Sequence, residues 1–400
     1  MKAVILAAGE GTRMRPLTYT RPKVMVPIAN KPILEHLLLE VSKAGIIEFV
    51  FIVGYRDEQV RNYFGDGGKW DVKIEYCKQR KQLGTADALR MVEGLVNGRF
   101  LMINGDIIVR SSDIRRLLKK QDNTMSVTEV EDARNLGVVE VEQDKIVRIH
   151  EKSPEPPSRL ANAGLYLFTP DIFTAGEQTT PSPRGEYEIT DSIQRLIDSQ
   201  HSVFFLKLSY WLDVSYPWDL LKANESLMAN IEGQVQGEVE PNAVLKGKVG
   251  IGKNSVVRSG SYIIGPVLIG DNCEIGPNCY IRPATAIGDD CHIGASVEVK
   301  NSIIMKGTKV PHHNYVGDSV IGERCNFGAG TKVANLRLDK NTIIVDGIDT
   351  KRRKLGAIIG DEVQTGINSS INIGTVIGNN SFIGPGALAH GIIAPHSKIL

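Results

Sequence analysis

Two clusters of residues in this chain have the types and spacing needed for chemistry on phosphates and amines. The first is Gly9, Gly11, Thr12 and Arg13, directly after an apolar run at residues 3–7. A glycine-rich loop after a first strand lets backbone N–H groups approach a phosphate, and an arginine adds a fork-shaped cation. The spacing is not the Gly-x-Gly-x-x-Gly of a dinucleotide-binding turn. Alone, the cluster fits either a phosphate site or an ordinary loop.

The second cluster is the string Lys309 to Asp318, which contains the pair His312 and His313. Paired histidines in a loop are often only solvated. However, imidazole titrates near neutral pH, so it can take a proton from an amine that attacks an acyl group. A zinc hydratase would need several spaced histidines, and His292 with this pair fits that role poorly.

A six-residue repeat surrounds the second cluster and predicts the element that positions it. In this repeat an aliphatic residue occurs at every sixth position, and a small or β-branched residue follows four positions after it. This double period is typical of a parallel β-helix, in which each hexad supplies a strand and a turn. We expect the repeat to break near 305–314, to resume at 316–334 and again from Ile359, and to extrude residues 339–354 as a loop. The unbroken aliphatic series is Ile251, Val257, Ile263, Ile269, Ile275, Ile281, Ile287 and Ile293.

The first half of the chain alternates short apolar runs with helical patterns. Such alternation predicts a largely parallel, doubly wound, Rossmann-like sheet. We expect this domain at residues 1–217, a connecting helix and hinge at 218–241, and the β-helix at 242–400. The predicted strands are 3–7, 49–53, 100–103 and 165–168, and the predicted helices include 33–43 and 86–95.

Composition excludes several classes of partner. The formal net charge is +1, which gives no electrostatic case for nucleic acid or an anionic membrane. No apolar run approaches the roughly 20 residues of a membrane span, so we expect a cytoplasmic protein. The five cysteines form no CxxC pair. Cys273, Cys279 and Cys291 occupy the small inward position of the hexad, where we expect buried thiols.

The string from Leu6 to Pro27, with Lys23, resembles the signature of sugar-1-phosphate nucleotidylyltransferases. The resemblance implies that Arg13 and Lys23 are catalytic and that Gly9, Gly11 and Thr12 contact the nucleotide phosphates. Gln79 and the string 82–86 resemble the base-reading segment of that family, with Gly84 and Thr85 as further contacts.

The same family resemblance extends to a metal site and a sugar site. Asp106 in Asn-Gly-Asp and Asp213 in Trp-Leu-Asp resemble the carboxylates that share Mg²⁺. The strings 135–139, 151–152 and 162–164 resemble sugar-binding segments, and 185–191 is also typical of the family. The implied sugar contacts are Gly137, Glu151 and Asn162. Ser153 departs from the family, which has proline after Glu-Lys.

The second cluster, with Arg282-Pro283, 297–301, 326–331 and Asn335, resembles the acetyltransferase half of the bifunctional enzyme that makes UDP-N-acetylglucosamine. The resemblance implies a left-handed β-helix, His312 as general base and Glu298 as the residue that orients it. It implies a backbone contact from Ala329 to acetyl-CoA. The implied contacts to the amino-sugar phosphate are Arg282, Lys300, Tyr315, Asn326 and Lys354. The sequence stops soon after His390, so contacts that longer members make through a C-terminal tail stay open.

Together these resemblances imply a bifunctional, archaeal-like enzyme that assembles as a homotrimer. Its substrates would be acetyl-CoA, glucosamine 1-phosphate or galactosamine 1-phosphate, and UTP or dTTP. One alternative is a nucleotidylyltransferase whose β-helix only assembles or regulates. Another is a non-catalytic scaffold, which the presence of Arg13, Lys23, Asp106 and Asp213 disfavours.

Overall fold

The computed structural model describes residues 1–134 and 136–400, and the chain divides into two compact units. The first unit comprises Met1–Glu10, Pro22–Met25 and Ile33–Asp213. The second comprises Gly11–Arg21, Val26–Pro32 and Val214–Leu400. Asn135, part of one predicted sugar-binding string, lies outside the described residues.

A nine-stranded sheet forms the centre of the first unit. Its order is β3-β2-β1-β4-β8-β5-β9-β7-β6, and β8 also pairs with β6. In chain order the strands are Lys2–Ala7 (β1), Glu48–Val53 (β2), Lys73–Lys78 (β3), Phe100–Asn104 (β4), Thr124–Glu129 (β5), Gly137–Glu142 (β6), Lys145–Glu151 (β7), Leu160–Phe168 (β8) and Phe204–Lys207 (β9).

Helices cover both faces of this sheet, which makes it doubly wound as predicted. Alternate residues of β1 enter different cores: Ile5 packs with α1, α2 and α4, whereas Val4 packs with α3, α5 and α6. This follows from the two-residue period of a strand. The helices are Ile33–Lys43 (α1), Asp57–Phe64 (α2), Thr85–Arg90 (α3), Ser111–Leu118 (α4), Asp171–Gln178 (α5) and Ile189–Asp198 (α6).

The sheet is mixed rather than largely parallel, which corrects the prediction. Strands β1 to β4 pair in parallel, but β8 runs antiparallel to β4 and β5, and β7 antiparallel to β6 and β9. Only two residues separate β6 from β7, a connection too short for a parallel crossover. The predicted helix at 86–95 is also shorter, because α3 ends at Arg90 and a separate 3₁₀ turn covers Glu93–Leu95.

Three sheets of parallel strands, visited in strict rotation, form most of the second unit. We call them faces 1, 2 and 3. Face 1 contains Glu238–Val239, Val256–Val257, Glu274–Ile275, His292–Ala295, Lys309–His312, Asn326–Phe327, Gln364–Thr365, Phe382–Ile383 and Lys398–Ile399. Face 2 contains Val244–Lys246, Tyr262–Ile264, Tyr280–Arg282, Glu298–Lys300, Tyr315–Gly317, Lys332–Val333, Ser370–Ile371 and Leu388–Ala389. Face 3 contains Val249–Ile251, Val267–Ile269, Thr285–Ile287, Ile303–Ile304, Val320–Ile321, Ala357–Ile359, Thr375–Ile377 and Ile392–Ile393.

The predicted break at 305–314 is wrong, because the strand ladders continue through it. Tyr280 pairs with Glu298, eighteen residues on, but Glu298 pairs with Tyr315, only seventeen on. The inward aliphatic series stays buried across the change and continues through Ile304 and Val310. A turn has lost one residue, which shifts the six-residue frame without interrupting the stack.

Every change in length falls at one corner, between faces 2 and 3, which we call the variable corner. It is shortened at 300–303, at 317–320 and at 389–392, and lengthened at 333–357. The long segment contains a small hairpin, Ile344–Val345 with Ile348–Asp349, so the expected extruded loop is confirmed. Buried Cys273, Cys279 and Cys291 occupy the interior, also as expected.

The second unit also contains a helix and a hairpin outside the three faces. Helix α7 spans Asp219–Met228, within the segment predicted to connect the domains, and the hairpin pairs Pro27–Ile28 with Lys31–Pro32. Throughout 1–134 and 136–400, every helix is too short or too polar to span a membrane.

Candidate functional site

A cavity of ≈ 210 Å³ opens at the carboxyl ends of β1, β2 and β3 in the first unit. Gly9 and Gln79 line it on the strand side, and Gly84 and Thr85 line it from the start of α3. Ligands of open α/β sheets bind at such strand ends. Its volume lies below the roughly 300–1,000 Å³ of whole-ligand pockets, so it suits a ring-sized part of a ligand.

Gln79 and Gly84 are held in place by hydrogen bonds around the cavity. Gln79 is 6% exposed, and its Nε2 donates to Asp87 Oδ2 at 2.8 Å and to the Gly84 carbonyl at 3.2 Å. Ile189 N donates to Thr85 Oγ1 at 2.9 Å. The structure therefore brings the three predicted base contacts together. Gln82, which also lines the cavity, was in the base-reading string but not among the predicted contacts.

Lys23, Asp106 and Asp213 meet at a neighbouring edge of the first unit. Lys23 Nζ lies 2.7 Å from Asp106 Oδ2. The short strand Trp211–Asp213 pairs antiparallel with Ile107–Val109, which places Asp213 opposite Ile107 and next to Asp106. The predicted catalytic lysine and the two predicted metal carboxylates are thus close together at one end of this two-stranded ladder.

Two carboxylates suit Mg²⁺ that is also bound by substrate, but they are too few to hold a metal ion by protein side chains alone. No group of three or more His, Cys, Asp or Glu side chains that could hold a metal ion occurs in the described part of the chain. Mg²⁺ is usually bound by one or two carboxylates together with substrate phosphates and water. Asp106 and Asp213 fit that pattern.

The predicted phosphate contacts Gly11, Thr12 and Arg13 lie in the second unit. Gly11 has φ = +73° and precedes a 3₁₀ turn, Thr12–Met14. The Thr18 hydroxyl donates to the Gly11 carbonyl at 2.8 Å, which closes the loop on itself. The Arg13 guanidinium lies 5.8 Å from the centre of the Tyr216 ring, within cation–π range.

The predicted sugar contacts Gly137, Glu151 and Asn162 lie at the edge of the sheet formed by β6, β7 and β8. Gly137 and Glu151 are directly paired in the ladder. A Cβ on Gly137 would lie 2.6 Å from Glu151 Oε2, so a larger residue would displace that carboxyl. The Asn162 amide donates to the Tyr166 hydroxyl at 2.7 Å and accepts from Gly164 N at 2.9 Å.

Burial raises the pKa of the Glu151 carboxyl, against the opposing effect of a hydrogen bond from Thr190 and the charge of Arg184. Burial also raises the pKa of Glu188, which pairs with Arg184 at 2.5 Å. Arg184 therefore links two acidic groups beside the predicted sugar contacts. Sequence reasoning missed it, although it directly precedes the family-like string 185–191.

Four of the predicted acetyl-transfer residues are neighbours on face 2 of the second unit. Arg282 pairs in the ladder with Lys300, and Glu298 pairs with Tyr315. Arg282 Nη1 lies 3.0 Å from Glu298 Oε1. Two cations, a carboxylate and a phenol thus share one surface.

Asp318, at the variable corner, ties these residues together and was not predicted. Its side chain is 3% exposed. It accepts hydrogen bonds from Lys300 Nζ at 2.9 Å, Asn301 Nδ2 at 2.8 Å and Asn335 Nδ2 at 2.6 Å. Asn335 also donates to the Tyr315 hydroxyl at 3.1 Å. The available signal was its position in a turn that is one residue shorter than the six-residue repeat predicts.

His312, Asn326 and Ala329 belong to face 1 and the turn after it. His312 is exposed at the end of its strand, and its carbonyl accepts from Gly330 N at 3.0 Å. The Ala329 carbonyl accepts from Asn368 N at 2.7 Å. Within the described residues no hydrogen bond joins Glu298 to His312, so the orienting role of Glu298 stays a prediction. Lys354 is exposed at the end of the long segment of the variable corner.

Two family models match this chain. The model for nucleotidyl transferases covers residues 2–230, and the model described as the GMPPB C-terminal domain covers residues 263–382. The crystal structure of a Bacillus anthracis protein assigned as a glucose-1-phosphate thymidylyltransferase, in complex with a sucrose, superposes with a TM-score of 0.53. It is 31% identical and covers 58% of this chain and 96% of its own.

Curated relatives match over almost the full length. The bifunctional protein GlmU of Methanocaldococcus jannaschii is 44% identical over 395 residues, which are 97% of this chain and 94% of the relative. GlmU of Methanococcus maripaludis is 42% identical with the same coverage. The bifunctional sugar-1-phosphate nucleotidylyltransferase/acetyltransferase of Sulfurisphaera tokodaii is 41% identical over 98% of this chain and 97% of its own. Because these matches run through both units, this chain belongs to the GlmU family of bifunctional sugar-1-phosphate nucleotidylyltransferase/acetyltransferases.

Proposed function

We propose that the protein acetylates an amino-sugar 1-phosphate with acetyl-CoA and couples the product to a uridylyl or thymidylyl group. The amino sugar is glucosamine 1-phosphate, and galactosamine 1-phosphate is a second candidate substrate. The observation that carries the proposal is that relatives named as bifunctional, one of them as a sugar-1-phosphate nucleotidylyltransferase/acetyltransferase, match this chain through both units. The clusters around Asp106 and Asp318 support one activity each.

For nucleotidylyl transfer, a phosphate oxygen of the sugar 1-phosphate attacks the α-phosphorus of UTP or dTTP. The bond to the bridging oxygen of the β-phosphate breaks, and pyrophosphate leaves with the electron pair. Mg²⁺, when bound by Asp106 and Asp213, would neutralise phosphate charge. Lys23, whose ammonium pairs with Asp106, is the proposed donor to the α-phosphate, and Arg13 is the proposed partner of the departing pyrophosphate. Catalysis of this kind comes from positioning and electrostatics rather than from a covalent intermediate.

For acetyl transfer, the sugar ammonium must first lose a proton, and the neutral amine then attacks the thioester carbonyl. The carbon–sulfur bond breaks and coenzyme A leaves as the thiol. Exposed His312 is the proposed proton acceptor, an ordinary task for imidazole near neutral pH. Arg282 and Lys300 are the proposed phosphate partners, since guanidinium and ammonium groups bind phosphate well.

We also propose a left-handed parallel β-helix for the three faces and a homotrimeric assembly. The strict rotation among three parallel ladders and the buried six-residue series support the β-helix. The proposed domain borders stay at 1–217, 218–241 and 242–400, although two short early segments fall with the second unit. A second candidate function, nucleotidylyl transfer alone, is favoured by the match of residues 263–382 to a GMPPB C-terminal domain.

Two assays on the purified protein test the proposal. Thiol release from acetyl-CoA is measured with glucosamine 1-phosphate and, separately, with galactosamine 1-phosphate. Pyrophosphate release is measured with UTP or dTTP and N-acetylglucosamine 1-phosphate in the presence of Mg²⁺. The proposal requires both signals. Pyrophosphate release without thiol release from either amino sugar would establish the single-function alternative.

The variants His312→Ala and His313→Asn separate the proposed base from its neighbour. His313 has φ = +49°, a conformation that asparagine tolerates, so His313→Asn is a matched control. We expect His312→Ala to lower thiol release by at least about 100-fold, as for loss of a general base. His313→Asn should keep it within about threefold. Equal losses in the two variants would contradict the assignment of the base.

A further inference from the structure

The segment Gly11–Arg21 is fixed within the second unit by a buried ion pair. Arg21 is 5% exposed, and its Nη2 lies 2.6 Å from Asp361 Oδ2 and 3.2 Å from Glu323 Oε1. Its Nη1 donates to Met305 Sδ at 3.1 Å. The Thr20 hydroxyl also donates to Asp361 Oδ2, at 2.6 Å. The end of the segment is thus held by a carboxylate that belongs to the stacked sheets.

Asp361 is itself held rigidly. It is 1% exposed and follows the face 3 strand Ala357–Ile359. Its Oδ1 accepts from Glu323 N at 2.8 Å, and a Cβ on Gly322 would lie 2.5 Å from the same oxygen. The carboxylate therefore has one oxygen fixed by the stack and the other facing Thr20 and Arg21.

A second attachment follows a few residues later, in Val26–Pro32. Ala29 N donates to Asn224 Oδ1 at 2.9 Å, and Asn224 Nδ2 donates to the Ala284 carbonyl at 2.8 Å. Asn30 Nδ2 donates to the Ile287 carbonyl at 2.7 Å. The segments Gly11–Arg21 and Val26–Pro32, which flank Lys23 in sequence, are therefore each anchored within the second unit.

We propose that the Arg21–Asp361 pair positions Gly11–Arg21, the segment that carries Thr12 and Arg13 and ends two residues before Lys23, so that nucleotidylyl transfer depends on this buried contact of the second unit. The proposal rests on the nucleotidylyl transfer proposed above. Arg21 and Asp361 are positioning residues, because they act through the segment and not on the substrate. Since Lys23 stands two residues after Arg21, movement of the anchor is transmitted along a very short stretch of chain.

Loss of either Arg21 or Asp361 should displace the segment Gly11–Arg21, not only weaken its attachment to the second unit. Asp361→Asn leaves Arg21 with only the more distant and partly exposed Glu323 as its ionic partner, and Arg21→Gln removes the guanidinium that pairs with Asp361. Because a buried charge that has lost its close partner is costly, we expect the segment to shift. A misplacement of about 1 Å in a catalytic segment can cost about 100-fold in rate. Asp361→Asn keeps an acceptor for Glu323 N but removes the charge that faces Arg21. We expect it to lower kcat/KM for the nucleoside triphosphate by about 10- to 100-fold.

The test uses the full-length protein with Asp361→Asn, Arg21→Lys, Arg21→Gln and the double variant Arg21→Gln/Asp361→Asn. Arg258→Gln is the matched control, because Arg258 makes ion pairs with Glu240 and Glu274 on the exposed surface of the same stack. Pyrophosphate release, thiol release from acetyl-CoA and thermal unfolding are measured for each variant.

Wild-type pyrophosphate release establishes the activity on which the proposal rests, so failure of that activity is recognised before any variant is compared. The expected result has three parts. Asp361→Asn and Arg21→Gln lose nucleotidylyl transfer but keep thiol release within about threefold. The double variant is no worse than the more damaged single variant, because both act through one contact. Arg21→Lys retains an intermediate rate.

Three results would overturn the proposal. The first is nucleotidylyl transfer within about twofold of wild type in either Asp361→Asn or Arg21→Gln. The second is multiplicative losses in the double variant. The third is a parallel fall of both activities together with the unfolding temperature, which would show general destabilisation.

Discussion

The substitution Gly84→Ala tests whether the cavity at the strand ends is the nucleotide site. Gly84 has φ = +115° and ψ = 180°, a region that is essentially restricted to glycine. A Cβ there would lie 2.7 Å from Tyr187 N and closer still to the Tyr187 carbonyl oxygen. Both obstacles are backbone atoms, so rotation of a side chain cannot relieve the clash.

The cost follows from these two effects. The conformation alone costs about 1–3 kcal/mol for a residue other than glycine, and overpacking typically adds about 1–3 kcal/mol. Hydrogen bonds flank the clash: Ala86 N donates to the Tyr187 carbonyl at 2.8 Å and Tyr187 N donates to the Leu83 carbonyl at 2.7 Å. Relief therefore requires that the two segments separate, which widens the cavity wall. For a displacement near 1 Å we expect kcat/KM for the nucleoside triphosphate to fall about 100-fold.

The assay is pyrophosphate release at subsaturating UTP or dTTP, with thiol release from acetyl-CoA as an internal reference. Gly94→Ala is the matched control, because a Cβ at Gly94 would meet no atom within 4 Å. It should keep both activities. The reasoning is refuted if Gly84→Ala retains nucleotidylyl transfer within threefold of wild type. It is also refuted if both activities fall equally, since the damage would then not be local.

Three further predictions concern carboxyl groups. Asp106→Asn should abolish pyrophosphate release while the protein stays folded and keeps thiol release within about threefold of wild type; near-normal pyrophosphate release would exclude the metal assignment. Glu151 has a raised pKa through burial, so its contribution to stability is present below about pH 4.3, the ordinary value for glutamate, and is lost as pH rises through the folded-state value. Thermal unfolding at a series of pH values should accordingly show Glu151→Gln gaining stability relative to wild type as pH rises, and a constant difference would contradict the assignment. Asp318→Asn leaves Lys300 without its buried partner, so chemical denaturation should show a free energy of unfolding lower by about 3–5 kcal/mol, and acetyl transfer should fall at least tenfold. The control Asp290→Asn removes an exposed ion pair and should change the free energy of unfolding by under about 1 kcal/mol.

The buried interior of both units could be predicted from the sequence, because buried positions recur at regular intervals and are occupied by apolar residues. The strands at 3–7, 49–53 and 100–103 and the aliphatic series from Ile251 to Ile293 were found where apolar residues recur. Strand direction could not be found in this way, since a buried strand has the same composition whether its neighbour is parallel or antiparallel. Turns that are one residue shorter move the aliphatic residues out of the six-residue pattern. A pattern of fixed length cannot distinguish this shift from the end of the β-helix, which is why the sequence predicts a break there.

The candidate sites divide in the same way. Lys23, Asp106 and Gln79 stand in recognisable strings, so they could be named before their positions were known. The roles of Asp318, Arg184 and Arg21 could not be named, even though Asp318 and Arg21 lie within such strings, because each acts through partners elsewhere in the sequence. Asp318 is set by Asn335, Arg184 by Glu151, and Arg21 by a carboxylate 340 residues further along. Such pairs become visible only when the chain is folded.

At the variable corner the length of the turn changes, while the register of the stacked strands stays constant. The ladders on all three faces stay in register whether that turn loses one residue, loses two or gains twenty. Lys300, Asp318 and Asn335 gather at this corner. In a scaffold of this kind, insertions and deletions at the variable corner can introduce new functional side chains, while the other two corners keep the length that the fold requires. The variable corner is therefore the position at which a foreign peptide can be inserted, or at which turns can be exchanged between relatives to change substrate specificity.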